Sequence, residues 1–488
     1  MASRFITVDT TVLSGFVVNI TVDFDTLYVG ANASVGTQGG GYAVFAQNAL
    51  NNIFVAGHIF GPGGISYFGA TASGTVTVYA GGSVTGAGTA INFDGPFGQV
   101  DNAGTIAGSR GIYSDADTTV TNSGSIFGHS DALFILGDAT VVNTGLLVGN
   151  TAVYVNGQAD VSNYGMIRGA VNTQGFDDTL INRGTITGTT QTGAGNDLVD
   201  GIGGRFEKSV SLGAGNDTFW GGSNADIVSG DIGNDDMDGG AGNDRFIVAN
   251  ADGFDSYDGG VGIDLLDARG MTTGIAINLT LAEARNGIFV DSVDGFEWAY
   301  GGAGSDRIAG DAAGNLLRGA AGNDVIVGLD GNDWVFGDIG NDSLVGGNGN
   351  DRLFGAEGVD TLSGGAGTDQ LTGSYDIDLM SGGTEADRFI FTDLDEFFAV
   401  VGTGLDRVTD FQNGIDLIDL SALDARFNLA GDQAFAFIGT AAISAFGQLN
   451  YRFFGGNTII SIGLNTPAAL DILRLDGLHT MTALDFAL

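Results

Sequence analysis

Carboxylates dominate the chemistry open to this sequence. Between about residues 192 and 390, aspartates recur nine residues apart within the plan GGxGxDxUx, where U is a large apolar residue. The copies LGAGNDTFW, GGSNADIVS, GDIGNDDMD and GGAGNDRFI run without a gap from Leu212 to Ile247. TGAGNDLVD from Thr192 precedes them and GGVGIDLLD from Gly259 follows, and ten more copies run end to end from Gly301 to Ile390. The candidate ligands are Asp197, Asp217, Asp226, Asp235, Asp244, Asp264, Asp306, Asp324, Asp333, Asp342, Asp351, Asp360, Asp369, Asp378 and Asp387. Glycines beside each carboxylate let backbone carbonyls converge, and carbonyls plus carboxylates make a many-oxygen cage for a hard cation. Flexible cages of that kind suit calcium better than magnesium. One ion per aspartate-bearing copy amounts to about 12 to 15 ions, or roughly +24 to +30 of charge. That offsets more than half of the formal net charge of -41. Turn-forming composition alone would not hold a nine-residue register through ten copies.

Three of the copies that depart from the plan are informative. GDAAGNLLR from Gly310 carries Asn315 where the aspartate belongs, and weak or no calcium binding is expected there. GSYDIDLMS from Gly373 and GGTEADRFI from Gly382 keep the aspartate and lose glycines, as at the end of a solenoid.

The elements that position these residues follow from the same period. The first six residues of each copy form a turn and the last three a short strand with U pointing inward, so two copies make one coil. A strand of three residues has little stability alone. Without metal the stacked carboxylates repel, and the ion's binding energy becomes folding energy. A second repeat precedes this one. NAGTIAG from Asn102, NSGSIFG from Asn122, NTGLLVG from Asn143, NYGMIRG from Asn163 and NRGTITG from Asn182 step by 20, 21, 20 and 19 residues. A coil of that length predicts a parallel β-helix with isoleucine and valine inside and asparagines stacked as a corner ladder. The expectation is therefore an all-β chain, a parallel β-solenoid with a β-rich C-terminal domain. Its parts are an N-terminal β-helix (1–190), a first nonapeptide block (191–267), spacer strands (268–300), a second block (301–390) and the end domain (391–488).

Composition excludes several functions. With 58 acidic against 17 basic residues, and Lys208 the sole lysine, a nucleic-acid partner is not expected. Cysteine is absent, so there is no disulfide or thiolate chemistry. Asp9 and several threonines interrupt the N-terminal apolar stretch, which argues against a cleaved signal, and no run is long enough for a transmembrane helix. His58, His129 and His479 form no HExxH, and GxSxG and GxxxxGK are missing. Asp115, Asp117, Asp131 and Asp138 are spread along turns with no lysine beside them, so no enzyme is expected.

Residues 192 to 488 resemble the RTX calcium-binding proteins, which implies a calcium-loaded parallel β-roll. Residues 268–300 are similar to the strand pair that separates RTX blocks. Asp410 to Ser421 fits DFxxGxDxIDLS and Asp485 to Leu488 fits DFxL, as in the end domain shared with serralysin-like proteases. That likeness implies a C-terminal signal read by an ABC-type (type I) secretion apparatus and a secreted, cell-surface location. The N-terminal coil resembles the β-helices of surface adhesins. With no catalytic module expected, the leading reading is a protein that self-assembles into an S-layer or filament, its partner being itself. An adhesin binding a surface or cell-surface polysaccharide is the alternative, and a polysaccharide-modifying enzyme a more distant one.

Overall fold

Strands, not helices, are what a chain of short apolar segments punctuated by glycine can build, and the computed structural model is all-β. It describes residues 5–8, 18–20, 26–37, 41–47, 51–69, 71–250, 253–392, 404–423, 434–463 and 469–488. The chain divides into two compact units, 1–246 with 252–262, and 247–251 with 263–488.

In the first unit, one residue type repeats at one height of each coil. Val100, Val120, Val141, Val161, Leu180 and Val199 pair in parallel register along one sheet. Ile106, Ile126, Leu147 and Ile167 do so along the other. All of these side chains are buried. The predicted corner ladder runs beside them. Asn102 Nδ2 donates to Asn122 Oδ1 at 2.7 Å, Asn122 to Asn143 at 2.7 Å, Asn143 to Asn163 at 2.8 Å and Asn163 to Asn182 at 2.8 Å. The glycine two residues after each asparagine is required by space. A Cβ on Gly124, Gly145 or Gly165 would strike the carbonyl of Gly104, Gly124 or Gly145 one coil earlier.

In the second unit the register step is two nonapeptides. Leu317, Val335, Leu353, Leu371 and Phe389 stack on one sheet. Ile308, Ile326, Leu344, Leu362 and Met380 stack on the other. Every one is the U residue of its copy, and none is more than 1% exposed. The spacer supplies rungs as well as strands. Ala276–Asn278 pairs in parallel with Arg307–Ala309, and Trp298–Tyr300 pairs with the strand from Leu316. Between them, Glu283–Asn286 and Phe289–Asp294 form an antiparallel hairpin.

The coil register also continues past residue 390. Asp406–Val408 stacks on Leu379–Thr384, Leu417–Asp419 on Arg388–Ile390, and Phe486–Ala487 on Leu417–Asp419. Gln448–Phe454, Asn457–Gly463 and Ala469–Leu475 form an antiparallel run that joins the coil through Ala469–Leu475, which pairs in parallel with Asp406–Val408.

The asparagine ladder is a buried polar chain in which each member satisfies the next. Replacing Asn143 by Ala strands Nδ2 of Asn122 and Oδ1 of Asn163, and should cost about 1–3 kcal/mol. Thr140→Ala, at an exposed position of the same coil, should change unfolding free energy by less than about 0.5 kcal/mol. Chemical denaturation of both variants checks this.

Candidate metal sites

Two glycines of each nonapeptide do different work. At the first position the reason is space, because the aspartate five residues on folds back over its own turn. A Cβ on Gly319, Gly328, Gly337 or Gly346 would fall on Oδ2 of Asp324, Asp333, Asp342 or Asp351. At the fourth position the reason is conformation, with φ of +141° at Gly322, +127° at Gly331, +140° at Gly340 and +135° at Gly349. The second position is left-handed even where it is not glycine, with φ of +80° at Ala320, +85° at Leu329 and +75° at Asp338. Such residues cost roughly 1–2 kcal/mol each, so the turn is held by contacts that outweigh that strain.

Aspartates one coil apart are linked by their carboxylates. Oδ1 of Asp324, Asp342, Asp360 and Asp378 accepts the backbone N–H of Asp306, Asp324, Asp342 and Asp360 at 2.7, 2.8, 2.8 and 2.9 Å. A second file runs through Asp333, Asp351, Asp369 and Asp387, with bonds of 2.8, 2.8 and 3.0 Å. In the first unit Asp197, Asp217 and Asp235 form one file, at 2.7 and 2.9 Å, and Asp226 donates to Asp244 at 2.7 Å. Asp264 donates its N–H to Glu297 Oε2 at 2.9 Å. All fifteen aspartates are at most 4% exposed. Same-file neighbours are brought together.

The other oxygen of these groups carries the metal argument. Oδ2 of Asp197, Asp217, Asp324, Asp333, Asp342, Asp351, Asp360, Asp369, Asp378 and Asp387 is buried without a hydrogen-bond donor. Burying a carboxylate oxygen with nothing to meet it is expensive. Burial pushes Asp378 up to about 8, Asp324 and Asp387 up to about 7, and Asp333 and Asp342 up to about 6. Among the described residues no three His, Cys, Asp or Glu side chains converge as a metal-ligand group. Further donors would be neutral oxygens such as the backbone carbonyls of the turns, a donor mix that suits calcium. The residues present fit that ion. Calcium bound here would neutralise paired carboxylates, and the chain's own part is to hold Oδ1 fixed and leave Oδ2 available.

Asn315 completes its file without a carboxylate. Its N–H donates to Asp333 Oδ1 at 2.7 Å, its Oδ1 accepts from Asp311 N at 2.8 Å, and its Nδ2 donates to Glu297 O at 3.3 Å. An amide donor there replaces an oxygen that could face a cation.

Several rungs lie outside the nonapeptide signature. Asp255 accepts from Asp235 N at 2.9 Å, Asp406 from Asp378 N at 3.0 Å and Asp416 from Asp387 N at 3.1 Å. With Glu297 they share a signal shorter than the full nonapeptide: GFD at 253–255, GFE at 295–297, GLD at 404–406 and GID at 414–416, each with a strand following. Position five also has a role. Asn323 Oδ1 accepts from Asn341 N at 2.9 Å and Asn332 Oδ1 from Asn350 N at 2.7 Å, an exposed ladder outside the aspartates.

Elsewhere, His58 meets Ser83 Oγ at 2.8 Å and His479 meets Asn413 and the Asp476 carbonyl at 2.8 and 2.7 Å. Asp131, for which no lysine partner was found in sequence, pairs with Arg110 from the coil before at 3.1 Å. Asp115 accepts from the Tyr113 hydroxyl, and that bond, with burial, pushes Tyr113 up to about 12.

The RTX calcium-binding nonapeptide repeat (4 copies) matches residues 212–246, 292–326, 300–335, 310–344 and 336–371. These repeats bind calcium, and together with the β-solenoid they fit an RTX protein. RTX repeat proteins are typically secreted. No curated protein matches the chain. Among solved structures, the AlgE6R3 subunit of the Azotobacter vinelandii mannuronan C5-epimerase is 28% identical over 31% of this chain and 80% of its own, with a TM-score of 0.23. Among the described residues no helix is long and apolar enough to cross a membrane.

Two outcomes follow from this geometry. Raised carboxyl pKa values mean the metal-free coil holds protons the unfolded chain has released, so its stability falls as pH rises from about 4 to about 8. Above about pH 5 the unfolded chain and the calcium-loaded coil are both ionised while the metal-free coil loses its protons, so the calcium concentration at half-folding should hold steady or rise toward pH 8. Calcium titrations followed by circular dichroism at several pH values check this, and a midpoint that falls as pH rises contradicts it. Gly346→Ala pushes a methyl onto Asp351 Oδ2 and toward the Gly364 carbonyl, and should cost about 1–3 kcal/mol in calcium. Gly270→Ala meets nothing within 4 Å and should be near neutral in the same denaturation assay.

Proposed function

We propose that the chain is a calcium-folded structural protein, exported through a type I apparatus by a C-terminal signal and self-assembling at the cell surface as an S-layer or filament subunit. The observation that carries this reading is the pair of buried aspartate files in the second unit, in which the Oδ2 atoms from Asp324 to Asp387 lack donors. Such files disfavour folding where calcium is scarce, as in a cytoplasm, and favour it where calcium is abundant, so folding is coupled to arrival outside. Self-assembly is supported by the nature of β-coils, whose terminal strands present unpaired backbone groups to a neighbour.

A glycan-binding adhesin is the second reading, favoured by one surface of the N-terminal coil. Tyr113, Phe134 and Tyr154 stack at 5.6 and 4.5 Å, and the Arg110 guanidinium lies 4.3 Å from the Phe134 ring centre while pairing with Asp131. Aromatic, cationic and carboxylate groups side by side can hold a sugar.

Negative-stain microscopy of the full chain in chelator and in millimolar calcium separates the two. Ordered sheets or filaments only with calcium are expected. Folded, monodisperse monomers that bind polysaccharide contradict assembly and favour the adhesin, whereas hydrolysis or epimerisation of an acidic polysaccharide would sink both.

A further inference from the structure

The aspartate file of the first unit does not begin where the nonapeptide signature begins. One coil before Asp197 lies Asp178, in TQGFDDTLI from Thr173, a stretch outside the repeats matched above and inside the coil expected to be a metal-free β-helix. Its surroundings copy those of the nonapeptide aspartates. Asp178 Oδ1 accepts the Ala159 N–H at 2.7 Å, and the Asp178 N–H donates to Asp197 Oδ1 at 2.8 Å. The strands that follow, Thr179–Asn182 and Leu198–Asp200, pair in register. Phe176, two residues before Asp178, takes a φ of +75° where Gly195, two before Asp197, takes +137°. A left-handed phenylalanine is costly, so the turn is held in its nonapeptide shape despite the side chain.

The independent sign of a ligand is Oδ2. Asp178 is 3% exposed and Asp197 2%, and Oδ2 of each is buried without a hydrogen-bond partner. Threonines stand at the first position of both turns, where glycine stands later. Thr173 Oγ1 donates to the Thr192 carbonyl at 3.1 Å and Thr192 Oγ1 to the Leu212 carbonyl at 2.6 Å. Each hydroxyl also lies against its own carboxylate, Thr173 against Asp178 and Thr192 against Asp197, so hydroxyl, carboxylate and carbonyl oxygens gather at one place. Carboxylate, hydroxyl and carbonyl oxygens make a donor set for a hard divalent cation.

We propose that Asp178 and Asp197 form a further calcium site, one coil before the recognisable repeats, joining the asparagine-laddered coil to the calcium-binding coil. It rests on the calcium reading of the nonapeptides. The site makes the last N-terminal coil part of the metal-dependent fold, so the boundary at 190/191 read from sequence is not the boundary of calcium dependence.

Asp178→Asn keeps an oxygen for the Ala159 N–H, and Asn315 shows that an amide can occupy a rung of this fold. Calcium bound per full-length chain, counted by equilibrium dialysis with elemental analysis, should fall by one in Asp178→Asn and also in the comparison variant Asp351→Asn. A loss in Asp351→Asn with none in Asp178→Asn overturns this site and leaves the nonapeptide reading standing. A wild-type chain that binds no calcium removes both. Hydrogen exchange in the unmutated protein gives a test independent of substitution: residues 173–181 should gain protection on adding calcium, and full protection already present in chelator overturns the site.

Discussion

Everything in the calcium-binding coils depends on carboxylates that have been placed indoors in rows. Ten of these aspartates, Asp197, Asp217 and eight from Asp324 to Asp387, spend Oδ1 on a backbone N–H of the coil before and leave Oδ2 buried without a donor. Coulomb repulsion and desolvation both oppose this arrangement, and neither the strands, most of them six residues long in the second block, nor the left-handed turns have stability to spare. The inward column of leucine, isoleucine, valine and phenylalanine drives stacking, yet it stacks only if the carboxylates are neutralised at the same time. A divalent cation would do that more completely than a proton, since its charge matches two carboxylates. On the proposal made above, hydrophobic burial and metal binding are one step, in keeping with the nine-residue period shared by the apolar U residue and the aspartate.

The asparagine-laddered coil solves the same stacking problem without charge. Asn102, Asn122, Asn143, Asn163 and Asn182 each offer a donor and an acceptor, so the ladder closes on itself. Aspartate can only accept, so its ladder needs backbone donors on one oxygen and a cation on the other. One coil geometry thus carries two ladders, a neutral one of asparagines from Asn102 to Asn182 and a charged one of aspartates from Asp178 onward.

Much of this was legible in the sequence because both repeats are strict where space is tight. The glycines after the asparagines and at the first nonapeptide position admit no Cβ, and the U position faces the interior, so the fold class and the fifteen aspartates could be read from spacing. What escaped was the imperfect rungs. Asp255, Glu297, Asp406 and Asp416 retain only the GxD or GxE of the signature. Asp178 lacks even that glycine. The spacer and the C-terminal segment looked like separate elements because their insertions break the nine-residue count, although the strands on either side return to register. Asp485 closes the series. Its Oδ1 accepts the Gly414 N–H at 2.8 Å and its Oδ2 the Thr482 N–H at 2.6 Å, so this last carboxylate is satisfied by the backbone.

The central claim is that calcium binding and folding of the aspartate coils are the same event. Far-ultraviolet circular dichroism of the full chain, titrated with calcium from chelator while bound ions are counted, tests it most directly. The account predicts that β-structure rises cooperatively and in step with the number of ions bound. Full β-structure in chelator, unchanged as the ions bind, would contradict it.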